Sequence, residues 1–129
     1  MSHTYTAELP VLKDMSLLRQ AFTALGWTIQ ESAVARTWYA NPDRTKVYPL
    51  VAVNPLHDGY DVGLVPQSDK IKLEADLFAP GHIVEQLGKD YGRLIMHYNL
   101  AYAKQQAVRK GYKVKVVDKD GDLHVEVTQ

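Results

Sequence analysis

The sequence predicts an α+β fold, in which an antiparallel meander sheet of about six to eight strands packs against one short and one long helix. Apolar and polar residues alternate with period two in several short stretches, which is typical of strands with one buried face. Apolar residues recur every three or four positions in residues 14–25 and 82–110, which is typical of amphipathic helices. A chain of 129 residues is expected to form a single domain, 1–129.

The N-terminal part begins with a strand and a short helix. Alternation from Ser2 to Leu9 ends at Pro10 and predicts the first strand. Asp14 is placed to cap a helix that Gly26 ends, since Met15, Leu18, Phe22 and Leu25 form one apolar stripe. A short strand is predicted around 27–29 and another over 34–40, before the turn at 41–43.

The central part is predicted to form a meander. Residues 47–53 form a strand in which Pro49 indicates an edge position or a bulge, since proline has no N–H to donate. Two more alternating stretches, 60–65 and 70–77, follow it and bury one apolar row. A meander commonly has one face in water, so we expect that face to carry a polar row: Lys70, Lys72, Glu74 and Asp76.

The C-terminal part is predicted to be a long helix followed by a hairpin. A helix from about His82 to Lys110 would be roughly 40 Å long at 1.5 Å per residue, with interior glycines at 88 and 92. Its apolar stripe exceeds what a small sheet can cover, so we expect homo-oligomerisation. The Asp120-Gly121 step predicts a hairpin that joins 112–117 to 123–128.

Composition limits the environment and the partners. The chain has 15 basic and 15 acidic residues, so we expect no bulk nucleic-acid binding. The bases between Lys104 and Lys119 outnumber the acids there, and we interpret them as a solvated helix end and the outer face of a strand, with a local binding patch as the alternative. Without cysteine, a secretory leader or a long apolar run, the protein is expected to be cytoplasmic, with no membrane partner.

No motif indicates catalysis, so the sequence favours a protein that is not an enzyme but leaves catalysis open, and we expect no cofactor or metal. Nucleotide-binding loops, a serine-hydrolase elbow and the helical HExxH zinc pattern are all missing from the sequence. A metal site could be assembled from a scattered set: His3, Asp76, His82, Glu85 and His97. The corresponding alternative function is a metal-assisted hydrolase, for which the residues to test are His3, Asp76 and His97.

Binding is better represented than catalysis, because the chain has eight tyrosines and two tryptophans. Flat aromatic rings beside cations suit an anionic, nucleotide-like ligand. We therefore predict a non-catalytic homo-oligomeric protein that holds such a ligand through Arg36, Arg44, Lys46, Arg93, Tyr98, Tyr102 and Arg109. The alternative is an interaction or regulatory protein that docks on a host protein through the long helix.

Several short motifs resemble one known family. They are Met1-Ser2-His3, Leu25-Gly26-Trp27, Tyr60-Asp61-Val62-Gly63, Leu73-Glu74-Ala75-Asp76 and the helix with Leu94 and Tyr98. Together they resemble the hypothetical chloroplast reading frame family of algal plastids, cyanobacteria and some bacteriophages. The resemblance implies a compact α+β protein without a known catalytic centre, and phage members make an anti-defence role conceivable. His3 and Asp76 match its pattern, whereas the C-terminal His-Val-Glu-Val-Thr-Gln departs from it.

Overall fold

The computed structural model describes residues 4–8, 12–120 and 122–128, and these form seven strands in two sheets. The larger sheet is antiparallel, with the order β1-β5-β4-β3-β2. Its strands are β1 (Thr4–Glu8), β2 (Thr28–Val34), β3 (Val47–Val53), β4 (Val62–Pro66) and β5 (Ile71–Asp76). Strands β3 to β5 are the predicted meander, β2 pairs with β3, and β1 returns beside β5. The second sheet is a hairpin of β6 (Lys113–Lys119) and β7 (Asp122–Thr128).

The helices share one hydrophobic core with one face of the large sheet. Helix α1 (Met15–Ala24) starts where the Asp14 side chain accepts a hydrogen bond from the backbone N–H of Leu17, as the sequence predicted. Helix α3 (Gly92–Arg109) packs against α1. The core joins buried residues of α1 and α3 to one row of the sheet, including Phe22, Leu94, Leu64 and Leu73. The predicted α+β class, with one short and one long helix, is confirmed.

The structure divides the long helix near its N-terminus. A short helix α2 (Ile83–Leu87) precedes α3, and a 3-10 turn over 89–91 separates them. Gly88 has a φ of 85°, and a Cβ at this position would lie 2.8 Å from the backbone nitrogen of Arg93. Asp90 and Tyr91 also have positive φ angles, of 53° and 62°. The chain therefore turns at a glycine, and α3 alone continues for 18 residues.

The prediction of a strand over 34–40 is wrong. Strand β2 ends at Val34, and residues 35–46 cross the outer face of the sheet before β3 begins; we call residues 35–46 the crossover segment. Side chains of the sheet, rather than a neighbouring strand, accept hydrogen bonds from the backbone of this segment. Ser32, with a φ of 49°, lies opposite Pro49, and this is the one pair missing from an otherwise continuous register between β2 and β3. The predicted edge position of Pro49 is wrong, since β3 lies between β2 and β4.

The predicted C-terminal hairpin is confirmed. Strand β6 pairs with β7 from Lys113 opposite Thr128 to Lys119 opposite Asp122. Asp120 has the positive φ, 54°, that the predicted turn requires, and Gly121 lies outside the described residues. The hairpin follows α3 directly, since the backbone N–H of Tyr112 donates to the carbonyl of Ala107.

Candidate functional site

The crossover segment is anchored at its start by Asp61, a buried carboxylate just before β4. Asp61 is 3% exposed and accepts a hydrogen bond from the backbone N–H of Arg36 at 2.8 Å and from the Arg36 guanidinium at 2.9–3.1 Å. It also accepts the backbone N–H of Asn54 at 2.9 Å. The Arg36 guanidinium donates in addition to the carbonyls of Asn54, Leu56 and His57. One ion pair thus joins the crossover segment to the loop between β3 and β4.

A second buried carboxylate, Asp76 at the end of β5, anchors the middle of the crossover segment. It accepts hydrogen bonds from the Thr37 hydroxyl at 2.5 Å, the backbone N–H of Trp38 at 3.3 Å and the Asn41 side-chain amide at 3.3 Å. It also accepts the backbone N–H of Phe78 at 3.1 Å. Asp76 is 3% exposed, so its charge depends on these donors. The segment is therefore fixed to both β4 and β5.

The burial of Asp76 corrects the predicted polar row on the outer sheet face. Lys70 and Lys72 do belong to that row, where both contact the carboxylate of Glu8. Glu74 contacts Lys46 of the crossover segment at 2.9 Å. The expectation failed at Asp76 because a segment predicted to be a strand lies across this face. The alternation shows which face a residue occupies and not what covers it.

The anchored segment presents a cluster of aromatic rings. Trp38 contacts Tyr39 at 4.9 Å between ring centroids, and it contacts Phe78 in an edge-on arrangement at 6.2 Å. Tyr39 is 78% exposed and Phe78 is 40% exposed. We call these three residues the aromatic platform. The backbone next to two of the three rings is bonded to Asp76, so the platform is held in place before any partner arrives.

A small cavity lies beneath the crossover segment and is already filled by side chains. Its volume is about 10 Å³, and its lining includes Tyr48, Glu74 and Asp76. The Tyr48 ring covers Gly63, and the ammonium group of Lys46 lies 5.0 Å from the centre of that ring. Burial, together with the nearby charges of Glu74 and Asp43, raises the pKa of Tyr48 to about 12. This region is therefore a structural support with no space for a ligand.

A histidine near the same end of the sheet bridges two carboxylates. His82 has a φ of 62°, and its Nδ1 contacts the carboxylate of Glu85 while its Nε2 lies 3.3 Å from that of Asp58. These hydrogen bonds, first with Glu85 and then with Asp58, raise the pKa of His82. The same contact with His82 lowers the pKa of Asp58. Each ring nitrogen has its own carboxylate, so the three groups do not converge on one point.

The predicted ligand-binding residues fall into two groups. Arg36, Arg44 and Lys46 all belong to the crossover segment, but Arg36 is committed to Asp61 and Lys46 to Glu74. Arg44 is exposed and forms one long side-chain hydrogen bond, of 3.3 Å, to the carbonyl of Asn41. Of the three cations, Arg44 keeps most of its donors available.

The other predicted ligand-binding residues lie on α3. Tyr98 is 4% exposed, and its hydroxyl accepts hydrogen bonds from the backbone N–H groups of Lys13 and Asp14, so it supports the start of α1. The guanidinium of Arg93 donates to the carbonyls of Glu85 and Gln86 at the end of α2. Tyr102 is 52% exposed, and Arg109 is exposed in the last turn. The structure therefore does not gather the predicted set into one pocket.

The residues proposed for metal chemistry do not form a site within the described ranges. His3 lies outside the described residues, and Asp76 is bonded within the crossover segment. His97 is half-buried on α3, where burial and then the charge of Arg93 lower its pKa. Among residues 4–8, 12–120 and 122–128, no group of three His, Asp or Glu side chains is placed to hold a metal ion.

Two open grooves lie outside the crossover segment. One, of about 490 Å³, runs along α3 and is lined by Gly92, Ile95, Met96, Asn99 and Leu100. The other, of about 600 Å³, adjoins His82 and is lined by Leu77, Ala79, His82, Val84 and Glu85. Both have apolar walls with a few polar groups, which is the usual composition of a binding surface.

The structure brings together three pairs that the sequence does not predict: Arg36 with Asp61, Trp38 with Phe78 in the aromatic platform, and His82 with Asp58. The first and third pairs lie 25 and 24 positions apart, and Phe78 is likewise distant from Trp38 along the chain, so no local pattern reveals them. Comparison with known protein families, curated proteins and solved structures finds no match to this chain. In the described part of the chain, no helix has the length and apolar character needed to cross a bilayer.

Proposed function

We propose that this protein is a non-catalytic, homo-oligomeric binding protein that holds a small anionic ligand with a flat ring, such as a nucleotide, on the aromatic platform. The observation that carries the proposal is an exposed, preorganised set of rings fixed by two buried carboxylates. Base–aromatic stacking contributes about 1–3 kcal/mol per base, and a rigid platform loses little entropy on binding. Sequestering such a ligand would suit the anti-defence role that the family resemblance implies.

Arg44 is the cation best placed to meet the anionic part of the ligand. It follows Trp38 by two successive turns, in which the N–H of Asn41 donates to the carbonyl of Trp38 and the N–H of Arg44 donates to the carbonyl of Asn41. An arginine offers five N–H donors in a fixed fork that matches phosphate oxygens. Arg36 and Lys46 act indirectly, since they hold the two ends of the segment that carries the rings.

Self-association is supported by the groove on α3. Its apolar side chains, Ile95, Met96 and Leu100, are only partly buried within the subunit. An apolar helix face of this kind is commonly covered by a second copy. A ligand held by one small platform would gain further contacts from a neighbouring subunit.

Thermal-shift measurements with a panel of nucleotides test the ligand proposal. A ligand that binds only the folded protein raises Tm, with a stabilisation of about 2.7 kcal/mol at 100 times Kd. We expect Tyr39→Ala and Arg44→Ala each to abolish the shift while leaving the Tm of the unliganded protein nearly unchanged. Arg19→Ala is the matched control, since Arg19 is also exposed and makes only a 3.8 Å surface ion pair. A shift that survives both platform variants would contradict the site, and no shift with any nucleotide would contradict the ligand.

The second candidate is an interaction protein that docks on a host protein through α3. The same groove favours it, since one polar residue, Asn99, lies among the apolar lining residues. The variant Leu100→Asp separates the candidates. If Leu100→Asp abolishes self-association but keeps the Tm shift with nucleotides, the oligomeric binding protein is supported. If Leu100→Asp instead abolishes co-purification of a host protein and leaves the number of subunits unchanged, the interaction protein is supported.

A further inference from the structure

The charges of this neutral chain are strongly separated along the sequence. Residues 91–117 contain six of the 15 basic residues and none of the 15 acidic residues. The rest of the chain therefore contains more acidic than basic residues. Residues 91–117 form α3 and the first part of β6, so the separation is also one of structure.

Five of these bases are exposed near the junction of α3 and β6: Lys104, Arg109, Lys110, Lys113 and Lys115. We call them the basic surface. In the described ranges none of the five has a carboxylate within ion-pair distance, whereas Arg36, Lys46, Lys70 and Lys72 elsewhere are all paired. Lys115 lies opposite Glu126 in the hairpin register and still makes no ion pair with it. The basic surface therefore keeps its charge available for a partner.

An exposed aromatic ring accompanies the cations. Tyr102 is 52% exposed and lies seven residues before Arg109, so both occupy the same face of α3. Gly111, with a φ of 81°, turns the chain from α3 into β6, so Lys110 and Lys113 lie on the two sides of this short turn. Along β6, Lys113 and Lys115 lie on the same face, about 6.6 Å apart at 3.3 Å per residue.

We propose that the basic surface, together with Tyr102, binds single-stranded nucleic acid. Single-strand sites combine a row of cations that follows the phosphates with aromatic rings on which bases stack, and these residues supply both. The cations are fixed on a helix and a strand, which suits a polymer with regularly repeated charge. The surface differs from the aromatic platform, whose cation is Arg44, so the two proposals do not depend on each other.

Fluorescence anisotropy with a labelled single-stranded oligonucleotide of about 20 nucleotides tests the proposal. If all five cations contact phosphates, log K should fall with log salt with a slope of about −3.5, which weakens binding about 100-fold between about 50 and 200 mM salt. The variant Lys113→Gln/Lys115→Gln should reduce the magnitude of that slope by about 1.4. Lys13→Gln/Lys89→Gln is the matched control, since it also removes two exposed lysines that have no ion pair in the described ranges but lie outside the basic surface.

Stacking is tested separately from charge. Tyr102→Ala should weaken binding about 5- to 150-fold without changing the salt slope, and Tyr102→Phe should retain the binding of the wild type. The proposal is overturned if the oligonucleotide does not bind at low salt, or if the control pair lowers the slope as much as Lys113→Gln/Lys115→Gln does. It is also overturned if polyglutamate or anionic vesicles compete equally well and Tyr102→Ala has no effect, because the surface would then serve a polyanionic protein or a membrane. Salt-sensitive assembly of the protein alone, abolished by Lys113→Gln/Lys115→Gln, would assign the surface to a second copy instead.

Discussion

Asp61 binds Arg36 twice over, since its carboxylate accepts both the backbone N–H and the guanidinium of that residue. The first contact fixes the main chain of the crossover segment, and the second neutralises a charge that is 3% exposed. One residue pair thus combines a backbone anchor with a partly buried ion pair. The fold depends on it because the crossover segment has no partner strand in the described ranges.

Replacing Asp61 should destabilise the protein far more than replacing a surface acid. Asp61→Ala leaves the N–H groups of Arg36 and Asn54 without their acceptor, and a buried unsatisfied donor costs about 1–3 kcal/mol. We expect a loss of about 3 kcal/mol in the free energy of unfolding, measured by urea denaturation. Glu31→Ala is the control and should cost less than about 1 kcal/mol, since Glu31 is exposed and 3.8 Å from Arg19. Equal effects would show that Asp61 is not an anchor.

Asp76→Ala should release the middle of the crossover segment without unfolding the sheet. It removes the acceptor for the Thr37 hydroxyl and for the N–H groups of Trp38 and Phe78. We expect faster hydrogen exchange at Trp38 and a change in tryptophan fluorescence, with β4 and β5 still protected. Thr37→Val removes one of these bonds and also the bond that the Asn41 amide donates to the Thr37 hydroxyl, so it should cost about 1–2 kcal/mol. Unchanged exchange at Trp38 would contradict this role for Asp76.

Two glycines at the helix break should respond oppositely to alanine. Gly92→Ala should stabilise the protein by about 0.5–1 kcal/mol, since Gly92 has helical angles and no described atom lies within 4 Å of the added Cβ. Gly88→Ala should destabilise it, because Gly88 has a φ of 85° and the Cβ would lie 2.8 Å from the nitrogen of Arg93. Thermal denaturation of both variants measures the difference. A loss of stability in Gly92→Ala would indicate that α3 does not begin there.

The His82 bridge predicts a pH dependence with a definite sign. The pKa of His82 is raised by Glu85 and Asp58, so the folded state binds the proton more tightly than the unfolded state. The resulting stability is fully present below the unfolded pKa of about 6.5 and is lost as pH rises through the higher folded pKa. Tm of wild type and of His82→Gln, measured from pH 5 to 9, should therefore differ most at the acidic end. A constant difference across this range would contradict the bridge.

The pKa of the half-buried His97 is shifted in the opposite direction from that of His82, so the two histidines can be compared in one protein. Burial, and then Arg93, lower its pKa, so the unfolded state binds the proton more readily. Its contribution reduces stability as pH falls through about 6.5. NMR titration of the two rings should place His82 above that value and His97 below it. The reverse order would show that the environments of the two histidines are misassigned.

The sequence predicts the elements whose signals are local. The cap at Asp14, the meander of β3 to β5 and the C-terminal hairpin follow from spacing and turn chemistry, and each is present in the structure. The sequence shows interior glycines at 88 and 92 in the predicted long helix, but spacing alone does not show that the chain turns there. The apolar row on both sides of the turn contributes to one core, so the three- and four-residue pattern continues across it.

The candidate site was less predictable, because it depends on contacts between distant residues. Trp38 and Tyr39 have the alternation and high β propensity of a strand, yet Asp61 and Asp76 bind this segment in a different conformation. Tyr98 was assigned to a ligand because a flat ring beside cations suits a nucleotide, whereas its hydroxyl accepts hydrogen bonds from the backbone at the start of α1. In both cases the residue type was informative, and the partner was not visible in the sequence.

The turn between Gly88 and Gly92 also separates two helices that follow different directions. Helix α2 stays at the sheet end with His82 and the platform, while α3 changes direction and carries its cations toward the hairpin. In one continuous helix, α2 and α3 would share a single axis. Because the break separates them, a substitution that tilts one helix is not passed to the other along a shared helical axis.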